Sequence, residues 1–405
     1  MERHDMGHGD WPGTADAVVI GGGVVGAATA FALARDGLRV VVVERKSALG
    51  ALTTAASAAS FRAQFTDAAN IALMRESIAV FERFAEVAGL PGYDLGLRQQ
   101  GYLFASDREA DVEALRERVA RQRDLGLDDV EFLAGDEVRR RFPYLNPAVR
   151  GAAFRARDGW LDAGRLTAGF ARASGARFLL DTEVVEIAVA GGRAIGVATS
   201  RGQISAPLVV VAAGPYSAAV AATADVALPL APVRRHRLIV APRPAIPPDA
   251  PMTIDATTGA HWRPQALEGG TGALVAWSQD EPPGPPVDPV PPDPAYPAIA
   301  LTAIIHLSPF WADLIPTLGP ADLRLSAGQY TVSPDHNALI GPVEAVAGLY
   351  VNTGYSGHGV MASPGGARLL ADLIAGCRAD VDNPFSPRRF KDGLPAATEG
   401  ERMVL

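Results

Sequence analysis

The sequence predicts an α/β protein that opens on a Rossmann-type unit and turns α+β further along, and three observations carry that prediction. Residues 16–44 contain Asp16-Ala17-Val18-Val19-Ile20, then Gly21-Gly22-Gly23-Val24-Val25-Gly26, and end in Val40-Val41-Val42-Val43-Glu44. That is strand, glycine turn, helix, and a second strand ending in a carboxylate. Alternating β-branched runs at 184–189, 194–199 and 203–205, with a Gly191-Gly192 turn, predict a hairpin-rich layer. Residues 208–213 form a continuous apolar run stopped by Gly214-Pro215, the pattern of a buried parallel strand.

At 405 residues the chain exceeds the ~250–300 at which one core stops growing, so more than one compact unit is expected. A formal charge of −8 argues against a nucleic-acid partner. The single cysteine, Cys377, excludes a disulfide framework and a multi-cysteine metal site; it reads as a small core residue. No metal is expected. No run approaches the ~20 apolar residues of a membrane span. Residues 1–10 lack the apolar stretch of a signal peptide, so no membrane partner and a cytoplasmic address are expected.

Past the first unit, Ile71, Met74, Ile78, Phe81, Ala85 and Ala88 recur at helical steps, with Asp67 as cap and Gly89 as stop. Residues 108–125 read as a second, more exposed helix. Strands of a second sheet are expected at 238–240 and 274–277. Nine prolines between 282 and 297 allow neither ladder nor helix interior, so that segment is a stiff surface loop, in its plainer reading an interdomain linker. Strands at 330–334 and 349–353 and a helix over 363–374, with Ser363 as cap and Pro364 as first residue, complete the pattern.

The glycines of the opening have separate tasks. Gly21 makes the tight turn, Gly23 admits a pyrophosphate to the backbone, and Gly26 permits close helix–strand contact. Helix amides then face the phosphates with the helix dipole behind them. Glu44 is placed to accept both ribose hydroxyls. The motif alone leaves NAD and FAD open.

The spacing Gly21-x-Gly23-x-x-Gly26-x3-Ala30-x6-Gly37 resembles the FAD-binding start of the D-amino-acid oxidase superfamily. So do Tyr330-Thr331-Val332-Ser333-Pro334-Asp335, Gly348-Leu349-Tyr350-Val351 and Gly354-Tyr355-Ser356-Gly357-His358-Gly359. Within it the chain is most similar to the sarcosine oxidase, dimethylglycine dehydrogenase and glycine oxidase branch, over about residues 16–374. The resemblance implies a discontinuous FAD-binding domain (14–72, 150–224 and 324–378) and a substrate domain (73–149 and 225–323) whose antiparallel sheet covers the flavin. A tail, 379–405, follows. It also implies oxidation of an amine or amino acid at its C–N bond by hydride transfer to the flavin, with O2 or another acceptor taking the electrons.

Expected cofactor contacts are Gly21, Gly23, Val24, Val25, Gly26, Glu44, Arg45, Ser60, Val184, Ala213, Gly214, Gly354, Gly357, His358, Gly359 and Val360. His358 lies by the flavin in the related oxidases; a hydrogen-bonded structural histidine is the plainer alternative. Arg62 falls where sarcosine oxidases bind the substrate carboxylate, against a structural ion pair. Their second carboxylate ligand, a lysine, is replaced here by Met361, which points to a larger or less acidic substrate. Trp262 and Arg263, next to His261, sit on the strand that faces the flavin in relatives; packing is their plainer role. Tyr330, Tyr355 and His236 complete the candidates.

Three absences follow from the same comparison. Gly328 stands where sarcosine oxidases tether FAD to cysteine, and residues 50–60 lack the histidine tether of dimethylglycine dehydrogenases. FAD is therefore expected to be noncovalent. With only Lys46 and Lys391 in the chain, the oxygen-activating lysine is missing too. Competing expectations are a 2-hydroxy-acid or alcohol oxidoreductase of the same fold, a flavin-binding subunit of a multi-protein dehydrogenase, and an NAD enzyme.

Overall fold

The computed structural model describes residues 11–278 and 281–391. Residues 1–10 and the end of the expected tail, from 392, lie outside the described residues. The opening strands Ala17–Ile20 and Val40–Val43 pair in parallel, Ala17 beside Val40. Leu208–Val211 joins on the other side, Ala17 beside Leu208. Arg177–Leu179, Leu349–Thr353 and Leu339–Pro342 complete a six-stranded sheet, antiparallel only between its last two members.

Period-2 geometry sends alternate residues to opposite faces. Ala17 and Val19 pack toward the helices Val24–Arg35, Ala163–Ser174 and Gly359–Ile374. Val18 and Ile20 pack toward a three-stranded antiparallel sheet of Val184–Ala190, Arg193–Thr199 and Gly202–Ser205, the expected hairpin layer.

The second large sheet has eight strands. Leu323–Val332, Ala231–Val240, Gly270–Ala276, His261–Leu267 and Met252–Asp255 are antiparallel neighbours. Met252–Asp255 then pairs in parallel with Tyr102–Ser106, so the sheet is mixed. Gly151–Arg155 and Leu323–Val332 also belong to this sheet, so bounds at 150 and 324 assign two of its eight strands to the cofactor unit.

Four local readings change. Asp67 does cap the helix Ala68–Glu82, accepting from Asn70 N, but Arg83 interrupts the run and Phe84–Val87 is a separate turn. The final helix starts at Gly359, so Pro364 lies inside it; Ser363 Oγ donates to the Val360 carbonyl (3.1 Å) that proline cannot serve. Cys377 is exposed beyond that helix, not in the core. The proline segment is a strap against the second sheet, where Gly284 N donates to Pro232 O and Val287 N to Gln329 Oε1, both at 2.9 Å. Its Asp288 then pairs with Arg45 and Lys46 beside the first sheet.

His306, just past the helix Tyr296–Ile305, bridges Asp255 (2.9 Å) and Asp107 (3.1 Å). The Asp255 hydrogen bond, ahead of the charges of both aspartates, raises its pKa from 6.5. A raised folded pKa stabilises fully below the unfolded value and is lost as pH climbs through the folded one. The melting-temperature gap between wild type and His306→Gln should thus be widest below about pH 6 and shrink above neutrality; a gap widening with pH would contradict the bridge.

Candidate functional site

Two adjoining cavities lie where the large sheets meet. The first, about 300 Å³, runs from Glu44 and Arg45 past the glycine turn to residues 354–360. The second is smaller and lies under the eight-stranded sheet. Thr53, Ser57, Tyr330, Gly357 and Val360 line both.

Backbone contact builds the first cavity. Gly21 has φ +112°, and a Cβ there would come within 2.5 Å of the Ala212 carbonyl oxygen. A Cβ on Gly26 would collide with the carbonyl of Gly21 itself. Gly23 has only Thr54 Oγ1 nearby, at 3.4 Å, and stays open to the cavity. Glu44 is held by Gly22 N (2.6 Å) and Lys46 N (2.8 Å), one on each carboxylate oxygen, and its remaining acceptor capacity faces the cavity. Arg45 lies 3.7 Å over the ring of Tyr216, a flat surface at that end which sequence reasoning missed.

Of the expected cofactor contacts, Gly21, Gly23, Val24, Val25, Glu44, Arg45, Val184, Ala213, Gly214, Gly354, Gly357, Gly359 and Val360 line this cavity. Gly26 sits behind it as a packing glycine. Ser60 and His358 line the second cavity instead.

The helix Gly359–Ile374 begins between the two cavities, with His358 at its N-cap. That places the positive end of its dipole beside the shared wall. Tyr355 belongs to the first cavity and to the scaffold: its hydroxyl donates to Asn352 Oδ1 (2.5 Å), and Asn352 Nδ2 reaches Thr29 Oγ1 (2.9 Å) on the opening helix. Burial raises the pKa of that hydroxyl far above its ordinary value.

Arg62, 1% exposed, enters the second cavity 4.0 Å over the ring of Phe65 and donates to Gln64 O. His358 stands edge-on to the same Phe65. Burial first, with Arg62 alongside, pushes its imidazole down to about 3. Burial likewise pushes His261 down to about 4. Both rings are neutral at physiological pH.

Strand alternation puts Trp262 on the opposite face from His261 and Arg263. His261 lines the cavity. Trp262 turns away into a cluster with Trp311 and Phe310 and donates from Nε1 to Ser308 Oγ (2.9 Å). Arg263 does not itself line the cavity but donates to the carbonyl of Ala58, which does (2.8 Å). Trp262 is therefore packing, not pocket. His236 lines the rim, stacked on Tyr296 and accepting from Asp293 N at 2.9 Å.

Sequence reasoning missed Tyr102, Arg235 and Arg237, which also line the second cavity. The clue was available: Arg235 and Arg237 lie two apart in a strand, so they share a face. Among the described residues no cluster of His, Cys, Asp and Glu could hold a metal, and no helix is long and apolar enough to cross a membrane.

A dinucleotide cleft opening into a small buried chamber beneath a second sheet defines a flavin-type oxidoreductase. Residues 16–373 match the DAO family, described as FAD dependent oxidoreductase, and the chain belongs to that family. It is 28% identical to FAD-dependent oxidoreductase domain-containing protein 1 of Xenopus laevis, over 94% of this chain and 83% of that one. With glycine oxidase of Geobacillus kaustophilus it shares 28% identity, over 92% and 97% of the two chains. The structure of L-proline dehydrogenase from P. horikoshii superposes with a TM-score of 0.83 at 26% identity, over 95% of this chain and 100% of that one. The protein is an FAD-dependent enzyme.

The cleft suits that cofactor, because the cradle at Gly21, Gly23 and Gly26 tolerates no side chain at two of its three positions. Gly26→Ala should cost about 1–3 kcal/mol of stability and lower the flavin absorbance per mole of purified protein. Full flavin occupancy in that variant would show that helix–strand contact does not set the site.

Proposed function

We propose that the enzyme oxidises the C–N bond of an amino or imino acid to an imine. The observation that carries this reading is Arg62, buried in the second cavity beside His358 where that chamber meets the cofactor cleft. FAD, when bound, supplies a two-electron acceptor for hydride. Gly21 and Gly23 would hold its pyrophosphate, Glu44 its ribose, and residues 354–360 the flavin end. The binding is noncovalent in this reading, supported at Gly328, which has no thiol to form a thioether link and where a Cβ would crowd the Ala56 Cβ at 2.7 Å.

The chain's own contribution is positioning and charge. Arg62 would fork onto the substrate carboxylate and orient the carbon next to nitrogen. No carboxylate among the described lining residues can stabilise a substrate ammonium. Guanidinium groups nearby disfavour that ammonium, so the amine binds as the free base that can release hydride. The amine proton leaves to solvent, the carbon-bound hydrogen leaves with its electron pair, and C=N forms. Water then hydrolyses the imine to carbonyl and amine. Electrons pass on to O2 or another acceptor.

Anaerobic mixing with N-methylated, cyclic and primary amino acids should bleach the flavin. Bleaching by 2-hydroxy acids and by none of the amines would replace this reading. Arg62→Ala should weaken binding of a carboxylate-bearing substrate by roughly 2–4 kcal/mol; unchanged binding would return Arg62 to the scaffold. Acid precipitation should leave the pellet colourless. Because His358 titrates near 3, flavin reduction should rise with pH along the amine's own ionisation, and that limb should persist in His358→Gln. Its disappearance would make His358 the base.

A further inference from the structure

Resting on the amine-oxidising reading, we infer that the substrate is a dianion: an amino or imino acid with a second acid group, the first held by Arg62 and the second by Arg235 and Arg237. All three arginines line one chamber. Arg235 and Arg237 come from the strand Ala231–Val240 of the eight-stranded sheet, Arg62 from the segment that follows Ser60–Phe61.

Among the described residues Arg235 and Arg237 have no anionic partner. Arg235 donates only to the Arg234 carbonyl (3.0 Å) and lies 5.6 Å over Tyr330; its Nε is buried without a hydrogen bond. Arg237 donates to the Ser57 carbonyl (2.8 Å), and its Nε is likewise buried and unpaired. Neither forms an ion pair among the described residues, whereas their neighbour Arg234 takes Glu281 at 2.8 Å. Glu281 also faces His236, at 3.6 Å. Burial, then the charge of Arg324, lowers the pKa of Arg237.

Arg235 and Arg237 are half-buried, each with its Nε shut off from water, and a partly desolvated cation gains most from a ligand that pairs it. The neutral histidines His261 and His358 add no charge, and no described lining residue is an acid. One carboxylate balances one guanidinium and leaves the β-strand pair uncompensated. A second acid group on the same ligand supplies what is missing, with bidentate geometry available at each arginine.

The test uses the FAD-loaded enzyme and two ligands with no amine to oxidise: thiodiacetate, with two carboxylates, and (methylthio)acetate, with one. Dissociation constants are read from the perturbed flavin spectrum at fixed ionic strength. Wild type should bind thiodiacetate at least roughly tenfold more tightly. Arg235→Gln and Arg237→Gln should bring the two affinities close together, Arg237→Lys should keep most of the preference, and Arg62→Gln should weaken both ligands. If Arg237→Gln does not fold, Arg235→Gln and Arg237→Lys carry the comparison. Equal affinities in wild type overturn the inference. So does a preference unchanged in the variants while the flavin midpoint potential shifts, which would assign the pair to the cofactor. Monocarboxylic amines that bleach the flavin, with no preference for thiodiacetate, sink the dianion and leave amine oxidation standing. Tight thiodiacetate binding, with no aminodicarboxylate bleaching the flavin, supports the dianion and sinks the amine chemistry.

Discussion

The structure depends on one backbone-to-backbone contact, the seating of the opening helix on the first strand at Gly21 and Gly26. No Cβ fits at either position. Close seating aims the first amides of Val24–Arg35 into the cleft, where partial positive charge is fixed without any ionisable group. It also brings Thr29 within reach of Asn352, and Asn352 in turn fixes the Tyr355 hydroxyl. The two ends of the cofactor cleft are thus tied together, although more than 300 residues separate them in the chain.

In the second chamber, burial sorts which groups can carry charge. Imidazoles lose protons readily when desolvated, so His261 and His358 go neutral. Guanidinium starts from so high a pKa that Arg263, pushed down by burial to about 9, still carries its charge at neutral pH, and burial lowers Arg237 from the same high starting point. The field inside the chamber is therefore positive and nearly independent of pH. Such a field favours anions and free amines together, which is what oxidation of an amino acid requires.

Periodic and glycine-bearing segments were legible in the sequence. The βαβ opening, the hairpin layer and the strand ending before Gly214-Pro215 rest on local backbone rules, and the structure shows each of them. Misreadings arose where a tertiary contact outweighs a local signal. Ser363-Pro364 has the form of a helix start, yet Gly359 begins the helix because residues 354–358 already supply the turn and Ser363 repairs the carbonyl orphaned by proline. For Trp262 the sequence leaves pocket and packing both open, and only the cluster with Trp311 and Phe310 settles which way the pleat points. Prolines marked 282–297 as irregular but not as a strap, because its hydrogen bonds go to Gln329, Pro232 and His236, far off in sequence.

Position 361 shows the same limit in the chemistry. A methionine at the position where the resemblance to sarcosine oxidases leads one to expect a lysine suggests a chamber poorer in positive charge and a less acidic ligand. Met361 does line the chamber, but Arg235 and Arg237 line it too, from the covering sheet. These cations are invisible to a motif comparison at 361, because their strand is separated from that helix start by over 100 residues. What a ligand meets is the summed field of the walls, so the charge of a site must be counted over the whole cavity and not at the position where a family usually keeps it.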